Sequence, residues 1–299
     1  MASSQHGQEV SVRHILSFDV EEYFQVSAFW SDARRQQWDR LESRVEQNTF
    51  RLAELLACAE TKATFFVLGW VAERHPGLVK TLAKQGHEIA SHGYGHELVT
   101  SQTDREFRDD VRRSKHILEN LTGTMVFGYR APSFSITDRT PWALPILAEE
   151  GYLYDSSINA RFQRSGKGSR ESGVREVVTT AGNIFEVAMS TASLFGIQLP
   201  IAAGGYFRLL PYFASRMLLK QLENTGTQVV MYLHPWEIDP DQPRMNGRLV
   251  SRFRHYLNLR KTEPRLQCLL QDFSFAPIVE IVQPIREMAR ARARCEVSV

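Results

Sequence analysis

Short runs of β-branched and aromatic residues alternate with longer amphipathic stretches along most of this chain, which confines it to βα units around a largely parallel sheet. The runs are His14-Ile15-Leu16-Ser17-Phe18, Ala63-Thr64-Phe65-Phe66-Val67-Leu68, His87-Glu88-Ile89-Ala90, Met125-Val126-Phe127-Gly128-Tyr129, Tyr152-Leu153-Tyr154, Ile184-Phe185-Glu186-Val187 and Val229-Val230-Met231-Tyr232-Leu233. Between them the spacing predicts helices over 42–59, 71–85, 104–120 and 212–224, another opened by Thr140-Pro141, and terminal helices within 252–270 and 278–291. Thr103 and Glu106 have capping-box spacing, and Gly86 and Gly123 stand where helix ends favour glycine. A polar stretch over 159–175 interrupts the alternation, and loops of that length are commonly functional or mobile.

The chain has 299 residues, 43% of them hydrophobic, enough for the core of one large domain or of two. No internal repeat or linker divides it. A formal charge of +2 makes no electrostatic case for nucleic acid, and none is expected as a partner. The one concentrated basic stretch, Arg286, Arg290, Arg292 and Arg294, reads as a solvated terminal helix. Cys58, Cys268 and Cys295 lack CxxC spacing, so reduced thiols are expected rather than a disulfide framework or a zinc ribbon. The opening residues lack a cationic start and an apolar run, and no later segment approaches the ~20 apolar residues a spanning helix needs. A cytoplasmic location is the expectation, with peripheral contact to the inner membrane compatible with it.

The polar residues that matter follow the strands. In a (β/α) barrel, chemistry gathers where strands end and βα loops begin. Asp19 follows the first run, His92 the third, Arg130 the fourth, Asp155 the fifth and His234 the last. Five such groups, supplying an anion pair, a cation and two imidazoles, are difficult to attribute to capping alone. Strand side chains alternate faces, so Asp19 and Glu21 point one way while Val20 and Glu22 point the other. In Ser91-His92-Gly93-Tyr94-Gly95-His96 the two imidazoles are four residues apart, a spacing that lets both reach one metal ion with a carboxylate as third ligand. HxxxH alone is a weak signal in a chain with nine histidines, and Gly93 rules out the HExxH protease form. His234, after an apolar strand, is placed for acid catalysis, with a hydrogen-bonded structural histidine as the competing account. Arg130 reads either as a surface arginine before Pro132 or as a guanidinium orienting Asp19 or Asp155. The Gly204-Gly205 pair lacks the residues of a phosphate loop and reads as a close backbone turn. Trp30, Tyr94, Phe134, Tyr206 and Trp236 lie in or near these loops and can stack on sugar faces, with core packing equally able to explain each.

Taken together, Ser17-Phe18-Asp19-Val20-Glu21, the histidine motif, Tyr129-Arg130-Ala131-Pro132, Tyr154-Asp155-Ser156-Ser157 and Leu233-His234-Pro235 resemble the polysaccharide deacetylase family, the NodB homology domain, over about 15–236. Phe18 through Val26 and the tail Ser251-Arg252-Phe253-Arg254-His255-Tyr256 resemble the subgroup associated with exosortase and exopolysaccharide gene clusters. The resemblance implies an irregular (β/α)7 barrel over 13–250, after a flexible 1–12 and before a subgroup-specific extension over 251–299 packed on it. It implies metal-dependent removal of N-acetyl groups from amino sugars of a bacterial polysaccharide. Asp19 is then the base, Glu21, His92 and His96 the ligands of a divalent metal, Arg130 the group orienting the base, Asp155 its partner and His234 the acid. Tyr94, Pro132, Phe134 and Trp236 are expected to contact substrate. Zinc is the expected metal, with cobalt, manganese, nickel and ferrous iron as alternatives. One departure stands out: the family opening has two adjacent aspartates, whereas Val20 takes the second place here and shifts the ligand to Glu21, with Glu22 the alternative. Hydrolysis of cyclic amides or ureides, a non-haem iron oxygenase, and a catalytically silent carbohydrate-binding barrel are the competing readings.

Overall fold

The alternation of side chains along the parallel strands sorts this molecule into an apolar barrel floor, a polar mouth and an outer layer of helices. The computed structural model describes residues 12–29, 36–158, 173–194 and 197–296. Trp30 and nearly all of the polar stretch over 159–175 fall outside them. Eleven strands run in chain order among the described residues: β1 (His14–Val20), β2 (Thr64–Val67), β3 (Glu88–Ser91), β4 (Gly128–Tyr129), β5 (Tyr154–Asp155), β6 (Val174–Thr179), β7 (Gly182–Val187), β8 (Ala192–Leu194), β9 (Ile197–Leu199), β10 (Val230–Leu233) and β11 (Phe275–Ala276). The helices are α1 (Val45–Cys58), α2 (Gly69–Arg74), α3 (Pro76–Lys84), α4 (Asp104–Thr122), α5 (Ala143–Glu149), α6 (Gly204–Leu209), α7 (Tyr212–Asn224), α8 (Leu249–Tyr256), α9 (Leu259–Asp272), α10 (Ile278–Ile281) and α11 (Gln283–Glu296).

Strand order is β10-β1-β2-β3-β4-β5-β7-β6, with β11 on the start of β1 and β8-β9 a separate pair. Every neighbouring pair from β10 through β7 is parallel, and β6 runs antiparallel to β7. Seven parallel strands thus form the irregular α/β barrel that the sequence predicts. No ladder joins β7 to β10 among the described residues. Across that gap Val230 N donates to Ser190 Oγ at 2.8 Å.

Inside the barrel, Ile15, Phe66, Ala90, Tyr154, Val187 and Val230 form one apolar cluster, and Ile278, Val282 and Ile285 from the C-terminal segment plug it. Their strand neighbours Leu16, Phe65, Val67 and Ile89 point outward into the larger cluster beneath the helices. Because the period is two, the inward series that starts at Ile15 continues through Ser17, Asp19 and Glu21. The floor is therefore apolar and the mouth polar. Residues beyond 250 share the sheet and this core: β11 pairs His14 with Phe275 and Ile15 with Ala276.

The helices depart from sequence expectation where backbone chemistry interrupts them. The stretch over 71–85 is two helices, because Pro76 disfavours helical geometry at His75 (φ −124, ψ 57) and begins the second. The stretch over 252–270 divides at Asn258, which takes φ 55. The fifth helix starts at Ala143 rather than at Thr140-Pro141. The capping box of α4 is complete: Glu106 N donates to Thr103 Oγ1, Thr103 N donates to Glu106 Oε2, and Gly123 closes the helix at φ 67. Thr103→Ala keeps the backbone bond to Glu106 but removes the cap acceptor, and should cost about 1 kcal/mol of stability in chemical denaturation with no change in fold.

Candidate active site

The strand register lines the polar residues up along one rim. Phe18 pairs with Leu233, Val67 with Ser91, Ser91 with Tyr129, Tyr129 with Asp155 and Asp155 with Glu186. The next residues on β1, β10, β3 and β4 are Asp19, His234, His92 and Arg130. Their meeting at the carboxyl ends of parallel strands is where barrels assemble chemistry.

Glu21, His92 and His96 each offer one donor atom, and the three atoms lie within 4.8 Å of one another in a buried group. His96 Nε2 is 2.6 Å and His92 Nε2 3.7 Å from Glu21 Oε2. His92 Nδ1 donates to the Arg130 carbonyl at 2.8 Å, since a carbonyl can only accept, and this leaves Nε2 with its lone pair aimed at the group. Two nitrogens and one carboxylate with the imidazole tautomer set from behind are chemically suited to a divalent metal. The histidines sit in a loop after β3. Gly93 adopts φ +75, and a Cβ there would lie 2.7 Å from Asp110 Oδ2, the atom that accepts from Tyr94 N. Burial alone would raise the Glu21 pKa, but the charges of His96 and His234 and the hydrogen bonds of both loop histidines hold it well below the usual range. Glu22 points to the opposite face and accepts from Ser43 Oγ and Arg44 N, away from the imidazoles.

Beside this group, Arg130 is fully buried, and its guanidinium connects three strands. Nη1 donates to Asp19 Oδ1 at 2.7 Å and Ser17 Oγ at 2.9 Å, Nε to the Ser156 carbonyl and Nη2 to Ser156 Oγ. Asp19 Oδ2 is left facing His234 Nε2 at 3.9 Å, and the same nitrogen is 3.7 Å from Glu21 Oε1. Behind the ring, His234 Nδ1 donates to Glu237 Oε1 at 2.8 Å, and Glu237 Oε2 receives Arg208 Nε at 2.6 Å. Burial alone would lower the His234 pKa; the carboxylates of Glu21, Glu237 and Asp19 overcome it and raise the pKa to about 9. His234 is the most accessible of these groups, its side chain 19% exposed against 3% for Asp19 and 4% for Glu21.

Three expectations need correction. Asp155 does not hydrogen-bond to Arg130. Its Oδ1 accepts from Ser157 Oγ and its Oδ2 from Ser157 N, while Ser157 Oγ accepts from Ala131 N, so Asp155 supports the loop after Arg130 through a serine. Its pKa is raised, chiefly by burial, as is that of its register partner Glu186. Trp236 is not a free platform for sugar: its ring stacks on His234 at 5.0 Å and on His255 at 4.2 Å, and Nε1 donates to Glu21 Oε1. Tyr94 faces α2 and α4, its hydroxyl donating to Glu73 Oε2 and its ring covered by the Arg113 guanidinium at 3.5 Å. Pro132 is buried, whereas Phe134 is half-buried against Tyr232, 5.7 Å from the Arg130 guanidinium. Tyr206 is half-buried on α6.

The residues that sequence reasoning passed over are Ser17, Ser156, Glu186, Arg208, Glu237 and His255. Glu237 had a signal, its i+3 spacing from His234, which here lets Glu237 Oε1 accept from both the backbone N and the Nδ1 of His234. Gly204 had another: a Cβ there would lie 2.1 Å from Glu237 Oε1, so this glycine admits the carboxylate rather than merely turning the chain. Arg208 and Glu186 reach their partners only through the fold.

Residues 37–152 match the family model described as polysaccharide deacetylase, and 156–283 match a domain of unknown function, DUF3473. The first match contains His92, His96 and Arg130 and the second His234, while Asp19 and Glu21 precede both. A peptidoglycan deacetylase-like protein of Gibberella zeae is 35% identical over 98 residues, 33% of this chain and 28% of that protein. A peptidoglycan-N-acetylglucosamine deacetylase of Bacillus cereus is 33% identical over 96 residues, 32% of this chain and 35% of that protein. The chain thus matches about a third of the length of these curated relatives. A Mycobacterium smegmatis chain assigned as a polysaccharide deacetylase shares the fold, with a TM-score of 0.62 at 22% identity over 93% of this chain and 91% of that one.

The carboxylate behind His234 has a measurable consequence. In metal-free protein the His234 imidazole should titrate near 9, and Glu237→Gln should bring that titration down, followed by NMR of the ring protons. An unchanged His234 titration in the variant would assign the shift to Glu21 and Asp19 alone.

Proposed function

Because residues 37–152 match the polysaccharide deacetylase family model, we propose that this chain hydrolyses N-acetyl groups of an amino-sugar polysaccharide with a divalent metal held by Glu21, His92 and His96. The observation that carries this reading is the convergence of a held carboxylate, Asp19, and an imidazole, His234, on one side of that donor group. When bound, the metal supplies Lewis acidity to the acetamide carbonyl and to the attacking water.

The chain's own residues do the rest. Arg130 occupies Asp19 Oδ1 and leaves Oδ2 to take the water proton as the new C–O bond forms. His234, fixed through Nδ1 by Glu237, presents Nε2 to the amide nitrogen and, in its protonated form, gives it a proton as the C–N bond breaks. Acetate and a free sugar amine leave. Desolvation of Asp19 and Glu21 strengthens their interaction with charge that develops in the transition state. Two nitrogens and one oxygen suit zinc, with cobalt, manganese, nickel and ferrous iron the other metals such a set accepts. Peptidoglycan fragments and acetylated exopolysaccharides are the polymers to compare, the first because relatives of 33–35% identity carry that name.

Acetate release from N-acetylglucosamine oligomers and from both polymers, measured after chelation and after zinc is returned, should be lost and then regained. Asp19→Asn and His234→Ala should each lower turnover by about 10²–10⁴-fold while metal content stays unchanged. His96→Ala should lose the metal itself, measured by elemental analysis. Turnover by Asp19→Asn near the wild-type rate, with metal retained, rules out the proposed base.

A further inference from the structure

Helix α8 is built the wrong way round for a helix that only packs. Its one buried residue is His255, pinned against Trp236 at 4.2 Å, and Arg208 Nη1 binds the carbonyls of Arg254, His255 and Leu257 at its end. These contacts fix which face is turned outward. At ~100° per residue, Leu249, Val250 and Phe253 fall on one side, about opposite His255, with Arg252 and Arg254 flanking them. Leu249 is 79%, Val250 70% and Phe253 65% exposed. A soluble helix normally turns this stripe inward.

The charge around it has one sign. Residues 244–262 contain Arg244, Arg248, Arg252, Arg254, Arg260 and Lys261 and no aspartate or glutamate. Arg248, Arg252 and Arg254 are exposed, and among the described residues none of them makes an ion pair. A second apolar row, Leu209, Phe213 and Met217, is also exposed and begins next to Arg208, where α6 meets the end of α8. Six of the nine large exposed hydrophobic side chains among the described residues therefore lie on α6, α7 and α8.

We propose that the outward face of α8 docks on an anionic lipid surface, with Leu249, Val250 and Phe253 entering the headgroup boundary and Arg248, Arg252 and Arg254 meeting lipid phosphates. Apolar anchors flanked by arginines are the composition of helices that lie in a membrane interface. Two alternatives fit less well. A symmetric pairing of two copies through this face sets the arginines of one against those of the other. A peptide needs a concave receptor, whereas side chains this exposed form a ridge. Since the buried side of α8 stacks through His255 and Trp236 onto His234, docking holds the barrel mouth close to the lipid headgroups, as a lipid-borne or surface-bound polymer requires.

Co-sedimentation of the full chain with phosphatidylcholine vesicles, with and without phosphatidylglycerol, tests this and reads binding alone, whether or not the proposed hydrolysis occurs. Binding should require phosphatidylglycerol and fall as salt rises. Arg248→Gln combined with Arg252→Gln should weaken it on the order of thirtyfold, from about fivefold per arginine near an anionic surface. Phe253→Ser combined with Leu249→Ser should weaken it by about tenfold or more, with unchanged circular dichroism because both side chains are solvent-exposed. Failure to bind either vesicle, binding undiminished in both variants, or a concentration-dependent dimer that Phe253→Ser dissolves would each overturn the proposal, the last assigning the face to a second copy.

Discussion

A guanidinium fully withdrawn from water, Arg130, holds the mouth of this barrel together. It lies at the end of β4 and binds Ser17 and Asp19 on β1 and Ser156 after β5, so strands far apart in sequence meet on one cation. Removing one partner of such a buried pair typically costs about 3–5 kcal/mol, because the other is left charged in a medium that cannot solvate it. Phe66 lies under the guanidinium at 4.0 Å, so the charge is also shielded by an aromatic face. The same contact that satisfies Arg130 holds Oδ1 of Asp19 and leaves Oδ2 toward His234. Stability and positioning are here one set of hydrogen bonds.

The polar mouth is affordable because the floor beneath it is apolar and plugged. Ile278, Val282 and Ile285 from the last segment seal the inner face, and β11 adds to β1 at the end opposite the site. The same C-terminal half supports the mouth as well. Arg208 binds Glu237, Glu237 fixes His234, and His255 backs Trp236, whose indole donates to Glu21. Two chains of contact thus run from the residues around 208 and 255 to the candidate acid and to a candidate metal ligand. Helix α8 is part of both, since its final carbonyls terminate on Arg208.

Much of this was legible along the chain where the determining interaction is local. The β-branched runs and the Thr103/Glu106 box mark elements because propensity, capping and periodicity act within a few residues. The parity of Asp19 and Glu21 against Glu22 follows from the strand period alone. Trp236 and Tyr94 misled for the opposite reason. An aromatic residue in a loop beside a site looks the same in sequence whether its faces are open to a sugar or, as here, covered by His234 and His255 or by Arg113. Asp155 misled similarly, being one residue from the serine that meets Arg130.

By itself the sequence determined the class of fold, the strand ends on which polar groups stand, and a histidine pair spaced for a shared ion, because each depends on near neighbours and on the two-residue and 3.6-residue repeats of the backbone. Only the tertiary structure decided which carboxylate faces those imidazoles, that Asp19 rather than Asp155 receives the buried guanidinium, and that Arg208 holds Glu237 from behind. Those choices are made by contacts spanning 29 to 215 positions of chain. No local pattern encodes such pairings, since their energy arises from desolvated charges that meet only after the barrel has closed around them.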